Sequence, residues 1–187
     1  MFLCFNVRGL STYSNANSIS CSFTAFTDFH PLTKRKAINS VSNPDEFDIN
    51  MLVLPGVIHR LHSSVTTFAK DMCEDRQDTF FIMDASAWSD SISTAVNAVQ
   101  PFDSNYVASY YPWVKILNTD KNKPVWVPPS VVLGGIYAFN DRVAHPWFAP
   151  AGLNRGGITT AIQAERKLTQ GNRDTLYDSN VNPIATF

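Results

Sequence analysis

The sequence has no excess of charge of either sign. Fifteen Lys and Arg residues stand against sixteen Asp and Glu residues, which gives a formal net charge of -1, and like charges form no long run. Proteins that bind nucleic acid or anionic membranes electrostatically carry clustered basic residues. The composition therefore predicts no direct contact with nucleic acid and no polybasic membrane patch.

Cysteines are few, and long apolar runs are missing. Cys4, Cys21 and Cys73 are far apart and form no CxxC motif, so reduced thiols in an intracellular protein are the simpler interpretation. No apolar run approaches the roughly 20 residues that span a bilayer. The first apolar patch, within residues 1–10, is short and interrupted by polar residues. We therefore expect neither a membrane anchor nor a secretory signal.

The chain does contain enough apolar residues for a folded core. Its 187 residues are 44% hydrophobic and 17% charged, which excludes a disordered chain and favours one globular unit. Residues 1–45 are rich in Ser, Asn and Thr, and the alternating segment Cys21–Phe26 is typical of an edge strand. We expect residues 1–45 to be an approach segment, with an edge strand of the same or a preceding domain, and 46–187 to form the main domain.

The first half of the main domain alternates strands with helices. The apolar run Ile49–Val57 is typical of a strand buried on both faces, and Phe80–Met83 of a second one. Between them, apolar residues at helical spacing predict an amphipathic helix. These residues are Ile58, Leu61, Val65, Phe68 and Met72. Ser91–Val99 repeats the helical spacing, so the pattern predicts right-handed parallel crossovers.

The second half begins with a strand that contains a proline. Tyr106–Tyr111 and Trp113–Leu117 are rich in aromatic and β-branched residues, and Pro112 between them predicts a kink. The polar turn 118–123 then leads to Pro124–Val127, so we predict a β-hairpin that projects from the sheet.

A helix over Val131–Arg142 follows, because Pro129 and Ser130 are good first-turn residues. Its Gly134 and Gly135 each cost about 1 kcal/mol relative to alanine in a helix interior. That cost is explained if another backbone packs closely against the glycines, so we predict a buried, tightly packed helix.

The tail is predicted to add a short strand over Ile158–Ile162 and a helical turn over Arg173–Asp178. The chain contains no internal repeat. Taken together, these elements predict an α/β fold: a layered, mixed and mostly parallel sheet with helices on both faces, plus the projecting hairpin.

Hydrolytic or metal-dependent chemistry is poorly supported by the sequence. The G-x-S-x-G nucleophile motif is absent, and Asp84 with Ser86 and a distant histidine is the best imitation of a catalytic triad. His59 and His62 are three residues apart, but no carboxylate or cysteine completes a recognisable set of metal ligands. We therefore expect no catalytic and no metal-binding residue.

Cofactor and nucleic-acid sites are no better supported. The glycine-rich loop 152–157 lacks the Lys-Ser/Thr pair of a phosphate-binding loop, so glycines that permit an unusual backbone path explain it better. Trp113, Trp126 and Trp147 lack the dense basic surface of a nucleic-acid binder. We interpret these tryptophans as residues that pack in a core or in a protein interface. We expect no cofactor.

Several characteristic segments follow one another in a fixed order. They are Phe47–Gly56, Tyr111–Lys115, Val125–Ser130, Trp147–Gly152, Arg173–Tyr177 and Asn182-Pro183-Ile184. In these segments the chain resembles the contractile tail sheath proteins of myovirus-type bacteriophages, which are related to the sheaths of other contractile injection systems. The resemblance assigns a structural role to Asp48, Pro55, Gly56, Pro112, Trp113, Trp126, Pro128, Pro129, Ser130, Gly135, Asp141, Trp147, Pro150, Gly152, Arg155, Gly156, Arg173, Leu176, Tyr177, Asn182 and Pro183.

The resemblance implies an α/β domain that is subtilisin-like in topology but lacks the protease's catalytic triad, and hence a protein that is not an enzyme. It implies subunits in hexameric rings, stacked helically around a tail tube, which contract and drive the tube through the host envelope. The implied partners are other sheath subunits, the tail tube, and baseplate or terminator proteins. The implied location is the virion, after assembly in the host bacterial cytoplasm.

Sheath proteins of this kind normally continue past the Asn-Pro-Ile segment into a C-terminal domain that faces the tube and lends strands to neighbouring subunits. Because this chain stops at Phe187, we expect it to be a fragment or a split version of a longer sheath that lacks this domain. Two other functions stay open. One is a tail or baseplate adaptor that uses the same aromatic residues in a non-repeating interface, and the other, less favoured, is an α/β hydrolase.

Overall fold

The chain forms two β-sheets in the computed structural model, which describes residues 2–4 and 30–186. The strands are β1 (Phe2–Cys4), β2 (Met51–Ile58), β3 (Phe80–Asp84), β4 (Val107–Tyr111), β5 (Val114–Asn118), β6 (Lys123–Val127), β7 (Ala161–Ala164) and β8 (Val181–Pro183). Sheet A has the spatial order β1, β2, β3, β4, β8, and all its neighbouring strands are parallel. Sheet B has the antiparallel order β6, β5, β7.

Helices cover both faces of sheet A. They are α1 (Pro31–Asn39), α2 (Ser63–Arg76), α3 (Ile92–Val99), α4 (Pro129–Val143), α5 (Gly152–Arg155) and α6 (Gln170–Asp178). The larger hydrophobic core joins one face to α1, α2, α3 and α6 through residues such as Ile38, Val65 and Leu176. A smaller core joins the opposite face to α4 through Leu133 and Ile136. The predicted α/β class, with a mostly parallel sheet between helices, is confirmed.

β2 is the buried strand that its apolar run predicts, and it continues through Pro55 and Gly56. Its pairing with β3 shifts register between Val53 and Ile58, and Gly56 has a φ of 81°. This irregular stretch accommodates a proline, which cannot donate a hydrogen bond to a neighbouring strand. β2 therefore continues to Ile58, one residue beyond the predicted strand.

The helix predicted directly after β2 begins later, at Ser63. Ile58 still pairs with β3, and Leu61 lies in the following turn with 57% of its surface exposed. The predicted apolar stripe is therefore wrong at these two positions, because sheet pairing extends further than the apolar run suggests. Val65 and Met72 are buried in the larger core, as predicted.

The chain leaves sheet A after β4 and enters sheet B. The peptide bond between Tyr111 and Pro112 is cis. The predicted hairpin is present, since β5 and β6 pair in antiparallel register from Val114 opposite Val127 onward. It does not project alone, because β7 pairs with the other side of β5. β7 begins three residues later than the strand predicted over Ile158–Ile162.

The glycines of α4 have a different setting from the one predicted. Gly134 is half-buried, whereas Gly135 is exposed, and a Cβ atom added to Gly135 would meet nothing within 4 Å. The prediction of a close backbone contact at Gly135 is therefore wrong within this chain. α4 packs on sheet A through other residues, among them Leu133, Ile136 and Asn140.

Part of the N-terminal segment packs into the main fold. α1 was not predicted, yet Ile38 within it and Val41 after it are buried in the larger core. The buried guanidinium group of Arg76 donates hydrogen bonds to the carbonyls of Val41 and Phe47 at 2.7 and 2.8 Å. The predicted edge strand Cys21–Phe26 lies outside the described residues, while β1 pairs with β2. The boundary at residue 45 stays a prediction.

The C-terminal elements close sheet A. α6 is longer than the predicted turn, because the Thr169 hydroxyl accepts a hydrogen bond from the Asn172 amide at 3.4 Å and caps the helix. Leu176, on the inner side of α6, is fully buried. β8 then pairs with β4, and the Asn182 side chain donates to the carbonyl of Ser109 at 3.2 Å.

Candidate functional site

A group of apolar side chains is exposed at the end of α4 and in the loop that follows. Trp147 and Leu153 are 77% and 78% exposed. We name this region the 139–153 surface, and its apolar members are Phe139, Val143, Trp147, Phe148 and Leu153. Grouped exposed side chains of this size are typical of protein interaction sites.

The exposed side of α4 extends this surface toward the start of the helix. Val131, Gly135, Phe139 and Val143 recur every four residues and are all exposed. Residues at this spacing lie along one side of a helix. α4 is thus apolar both on the side packed against sheet A and on the side that faces solvent, with an open notch at Gly135.

The loop after α4 is held by polar and aromatic contacts. The Asn140 side chain, buried at the end of α4, donates a hydrogen bond to the carbonyl of Phe148 at 2.5 Å. The Arg155 guanidinium lies 3.8 Å from the centroid of the Phe148 ring. The rings of His145 and Trp147 stack with centroids 5.5 Å apart. These contacts hold Trp147 in an exposed position instead of folding it onto the domain.

Glycines allow the same loop to turn back on itself. Gly152 has a φ of 75°, which L-residues with a side chain rarely adopt. A Cβ atom on Gly156 would lie 3.1 Å from the Ala151 Cα, and one on Gly157 would lie 2.8 Å from the Leu153 carbonyl oxygen. The interpretation of these glycines as backbone-permissive residues is confirmed at Gly152.

A second aromatic cluster joins the two sheets. The indole nitrogen of Trp113 donates to the carbonyl of Ser86 at 3.0 Å. Trp88 packs against Trp113 and Trp126, with ring centroids 6.2 and 4.4 Å away, and the Lys115 ammonium lies 5.4 Å from the Trp126 ring. Sequence reasoning found Trp113, just before β5, and Trp126 in β6, but missed Trp88, which no periodic pattern marks.

A buried carboxyl group holds the beginning of α4. Asp84, at the end of β3, accepts hydrogen bonds from the Ser130 amide at 3.2 Å and from the Ser130 hydroxyl at 2.6 Å. Burial raises the pKa of Asp84 to about 7, although the hydrogen bonds from Ser130 and the Gly56 backbone oppose this change. The first turn of α4 has unpaired amides and a partial positive charge, so Asp84 serves as a cap supplied from the sheet.

Two polar side chains relevant to the hydrolase hypothesis, Asp84 and His59, have hydrogen-bond partners of other types. Asp84 is bound to Ser130, and the His59 side chain hydrogen-bonds with Thr66 at 2.6 Å and packs edge-on against Phe102. Burial lowers the pKa of His59. In residues 30–186, no three His, Cys, Asp or Glu side chains gather as a potential metal site. Within the described part of the chain, no helix is long and apolar enough to cross a membrane.

The signature residues are spread over the domain and do not form one site. Pro112 and Trp113 link the sheets, and Trp126 joins their cluster. Those in or beside the loop after α4 are Asp141, Trp147, Pro150, Gly152, Arg155 and Gly156. Those in or beside other elements are Asp48, Pro55 and Gly56 near β2, Pro128, Pro129, Ser130 and Gly135 in or before α4, Arg173, Leu176 and Tyr177 in α6, and Asn182 and Pro183 in β8.

Comparison with known proteins places this fold and its exposed surface in context. A tail sheath protein of Vibrio phage KVP40 is 35% identical over 85 residues, which are 46% of this chain and 12% of that protein. A tail sheath protein of Enterobacteria phage T4 is 39% identical over 59 residues, 32% of this chain and 9% of that protein. The aligned chain thus spans only a small part of these relatives. The family model for the phage tail sheath protein central domain matches residues 30–187, so this chain belongs to that family.

Proposed function

We propose that this chain is a structural subunit of a contractile phage tail sheath, which polymerises helically around the tail tube and contracts to drive the tube through the host envelope. The observation that carries the proposal is the match of residues 30–187, which include the described α/β fold from α1 onward, with the sheath central domain. Membership in a structural family favours a role without catalysis. In keeping with this, the side chains of Asp84 and His59 form hydrogen bonds with Ser130 and Thr66 inside the domain.

The 139–153 surface supports this role physically. Its exposed apolar side chains lie on a helix end and a loop that internal contacts already hold in place. A contact between this surface and a different surface of the next copy is heterologous, and such contacts build rings or helical filaments when repeated. Two alternative packings of the same rigid subunits would then correspond to the extended and contracted sheath.

The proposal includes the partners and the location of the assembled particle. Sheath subunits in hexameric rings are the immediate partners, followed by the tail tube and the baseplate or terminator proteins. The particle is the virion, and assembly takes place in the host bacterial cytoplasm. In this scheme residues 46–187 form the sheath domain, and residues 1–45 approach it. The signature residues act structurally, by building the domain whose surfaces meet.

Electron microscopy of the purified chain tests the proposal. We expect protein in which this chain is joined to the C-terminal domain of a sheath protein to form rings or helical tubes in negative stain, and sedimentation to show mass rising with concentration. If that protein stays monomeric at every attainable concentration, the sheath function is contradicted. A tail or baseplate adaptor makes a different prediction, namely discrete complexes of fixed copy number and no helical lattice.

A further inference from the structure

One face of sheet B carries exposed apolar side chains beside a lysine. In the pairing of β5 with β6, Lys115 is opposite Trp126 and Leu117 is opposite Pro124, and side chains paired across two strands lie on the same face. The ring of Trp88 packs on that of Trp126 with the centroids 4.4 Å apart. Trp88, Leu117 and Pro124 are exposed. We name these five residues the sheet B face, and exposed apolar groups of this kind are typical of protein interaction sites.

The surroundings of the sheet B face are basic. The ranges 113–127 and 161–167, which contain sheet B and its adjoining residues, have five basic and two acidic side chains, a net charge of +3. The basic residues are Lys115, Lys121, Lys123, Arg166 and Lys167, and the acidic ones are Asp120 and Glu165. Arg60 and Asp90, in the neighbouring loops, form an ion pair and add no net charge. A partner for this face should therefore be acidic.

The same chain has a strongly acidic region. The ranges 70–78 and 45–48, together with residue 103, have eight acidic and two basic side chains, a net charge of −6. The acidic ones are half of the sixteen in the chain, so the charge is concentrated there although the whole chain is nearly neutral. We name this region the acidic edge. Its acidic residues are Asp45, Glu46, Asp48, Asp71, Glu74, Asp75, Asp78 and Asp103, and its basic ones are Lys70 and Arg76.

Contacts between its segments make the acidic edge one continuous surface. The Arg76 guanidinium pairs with Asp78 at 2.8 Å and donates to the carbonyl of Phe47, so the end of α2 lies beside the segment before β2. The Glu74 carboxylate is hydrogen-bonded to Ser104, which brings in the segment before β4. The three segments are therefore neighbours in space as well as sharing one sign of charge.

Both basic residues of the acidic edge are already engaged within it. Arg76 is buried, and the Lys70 ammonium pairs with Asp71 at 3.0 Å and with Glu74 at 2.7 Å. The hydrogen bond from Lys70 lowers the pKa of Glu74, which keeps that carboxylate ionised at neutral pH. The carboxylates that face solvent are those of Asp45, Glu46, Asp48, Asp75 and Asp103.

The acidic edge and the sheet B face lie at opposite ends of the strands of sheet A. β2, β3 and β4 are parallel, and the acidic edge consists of the segments that precede them. The chain enters sheet B only after β4 has ended at Tyr111. One copy therefore cannot bring its own two surfaces together, whereas two copies arranged head-to-tail can.

The 139–153 surface is a weaker complement for the acidic edge. Its Asp141 and Arg142 have opposite charges, and the neighbouring Arg155 leaves a net charge of only +1. α4 begins beside Asp84 at the end of β3 and passes Phe80 at the start of that strand, where the ring centroids of Tyr137 and Phe80 are 5.7 Å apart. The last turns of α4 are thus directed toward the end of sheet A that carries the acidic edge.

We propose that the sheet B face of one copy docks on the acidic edge of the next copy, with Lys115, Lys121 and Lys123 facing its carboxylates. The inference rests on the proposed sheath function, because that function supplies the second copy. Exposed ion pairs stabilise a contact little one by one, so the charges select the partner surface while Trp88 and Trp126 supply buried apolar area. Because the two surfaces differ, the contact is heterologous and can repeat along a row of subunits.

Carbodiimide cross-linking tests the contact in the unaltered chain, because this reagent joins a lysine amine directly to a carboxylate that it touches. Isotope-labelled and unlabelled protein are mixed at low ionic strength, where charges are least screened. We expect linked peptides of mixed label in which Lys115, Lys121 or Lys123 is joined to a carboxylate of 45–48 or 71–78. Absence of these peptides, or links spread evenly over all exposed carboxylates, overturns the inference.

Charge reversal with rescue gives a second test, read by sedimentation equilibrium. Lys121→Glu with Lys123→Glu should weaken association at least about tenfold, and so should Glu46→Lys with Asp75→Lys, because like charges then face each other. A chain with all four reversals restores opposite charges and should associate within about threefold of the original chain. All four residues are exposed, so thermal stability should change little.

A matched control separates this contact from an effect of net charge. Arg35→Glu with Lys36→Glu, at exposed positions on α1, changes the net charge by the same amount as the two lysine reversals in the hairpin and should not weaken association. Equal weakening by this control, or failure of the chain with four reversals to recover, overturns the inference.

The outcomes also distinguish this contact from the sheath function itself. Rings or tubes formed by protein that includes the C-terminal domain, without the expected cross-links and rescue, leave the sheath function intact and reject only this contact. Cross-links and rescue in protein that never forms rings or tubes support the contact and count against the sheath function.

Discussion

Replacing Asp84 with asparagine is expected to make the stability of the domain less dependent on pH. The Asp84 carboxyl group is buried, and its pKa is raised by burial from 3.8 to about 7. The folded state therefore binds a proton that the unfolded state releases between these two values. The contribution of the Asp84 carboxyl group to the free energy of unfolding is therefore complete below about pH 3.8. It falls as the pH rises and is lost above about pH 7.

The size of this effect follows from linkage. Each pH unit between the two pKa values lowers the free energy of unfolding by about 1.4 kcal/mol. The total loss of stability between the unfolded and folded pKa values is therefore at most about 4 kcal/mol. An asparagine keeps one oxygen for the Ser130 amide, and its NH₂ group can donate to the Ser130 hydroxyl. Asp84→Asn should therefore retain the cap on α4 while removing the titrating group.

Urea unfolding followed by tryptophan fluorescence, at pH 5 and at pH 8, measures the difference. We expect the Asp84→Asn variant to gain stability relative to the original chain as the pH rises between these values. Asp120→Asn, at an exposed position in the hairpin turn, is the matched control and should leave the pH dependence unchanged. Parallel pH dependences for the original chain and Asp84→Asn would refute the argument that burial of this carboxyl group governs the slope.

Further substitutions test the contacts that hold the domain together. Arg76→Met should cost about 3 kcal/mol or more in urea unfolding, because two backbone carbonyls lose their donor; a loss below about 1 kcal/mol would contradict this. Gly152→Ala, at a φ of 75°, should cost about 1–2 kcal/mol, whereas Gly135→Ala, in open space on α4, should stabilise the free chain by up to about 1 kcal/mol. In a double-mutant cycle, Tyr110→Phe and Tyr137→Phe should show a coupling of about 0.5–1.5 kcal/mol from their 2.6 Å hydrogen bond, and additive losses would argue against it.

Continuous apolar runs predicted the central strands well. A strand that is buried on both faces is apolar along its length whichever strands it pairs with, so its own sequence is enough to identify it. β2 and β3 were found in this way. α1 was missed, since its polar composition leaves a weak periodic pattern around Ile38. Its place depends on contacts with distant residues, among them α2 and the Arg76 guanidinium that binds the segment after it. Local sequence carries little information about such long-range contacts.

The candidate surface was also predicted only in part from the sequence. The sequence identified the aromatic, proline-rich and glycine-rich region, but aromatic type alone does not determine exposure. Trp113 is only 9% exposed because it packs between the sheets, whereas Trp147 is held outside by its loop. Gly135 was interpreted through contacts within the chain, and its open surroundings became evident only when α4 was placed on sheet A. The cap formed by Asp84 likewise joins residues 46 positions apart.

α4 connects the buried interior of the domain with its exposed apolar surface. Its first turn is bound by Asp84, its middle by the hydrogen bond between Tyr110 and Tyr137, and its last turns carry the 139–153 surface. Packed interiors do not deform continuously, so α4 cannot tilt against sheet A without breaking these contacts. A change in packing between subunits that keeps the interior intact must therefore occur at exposed surfaces. An apolar surface on a firmly held helix meets that requirement, since it can exchange one neighbouring contact for another without disturbing the buried hydrogen bonds.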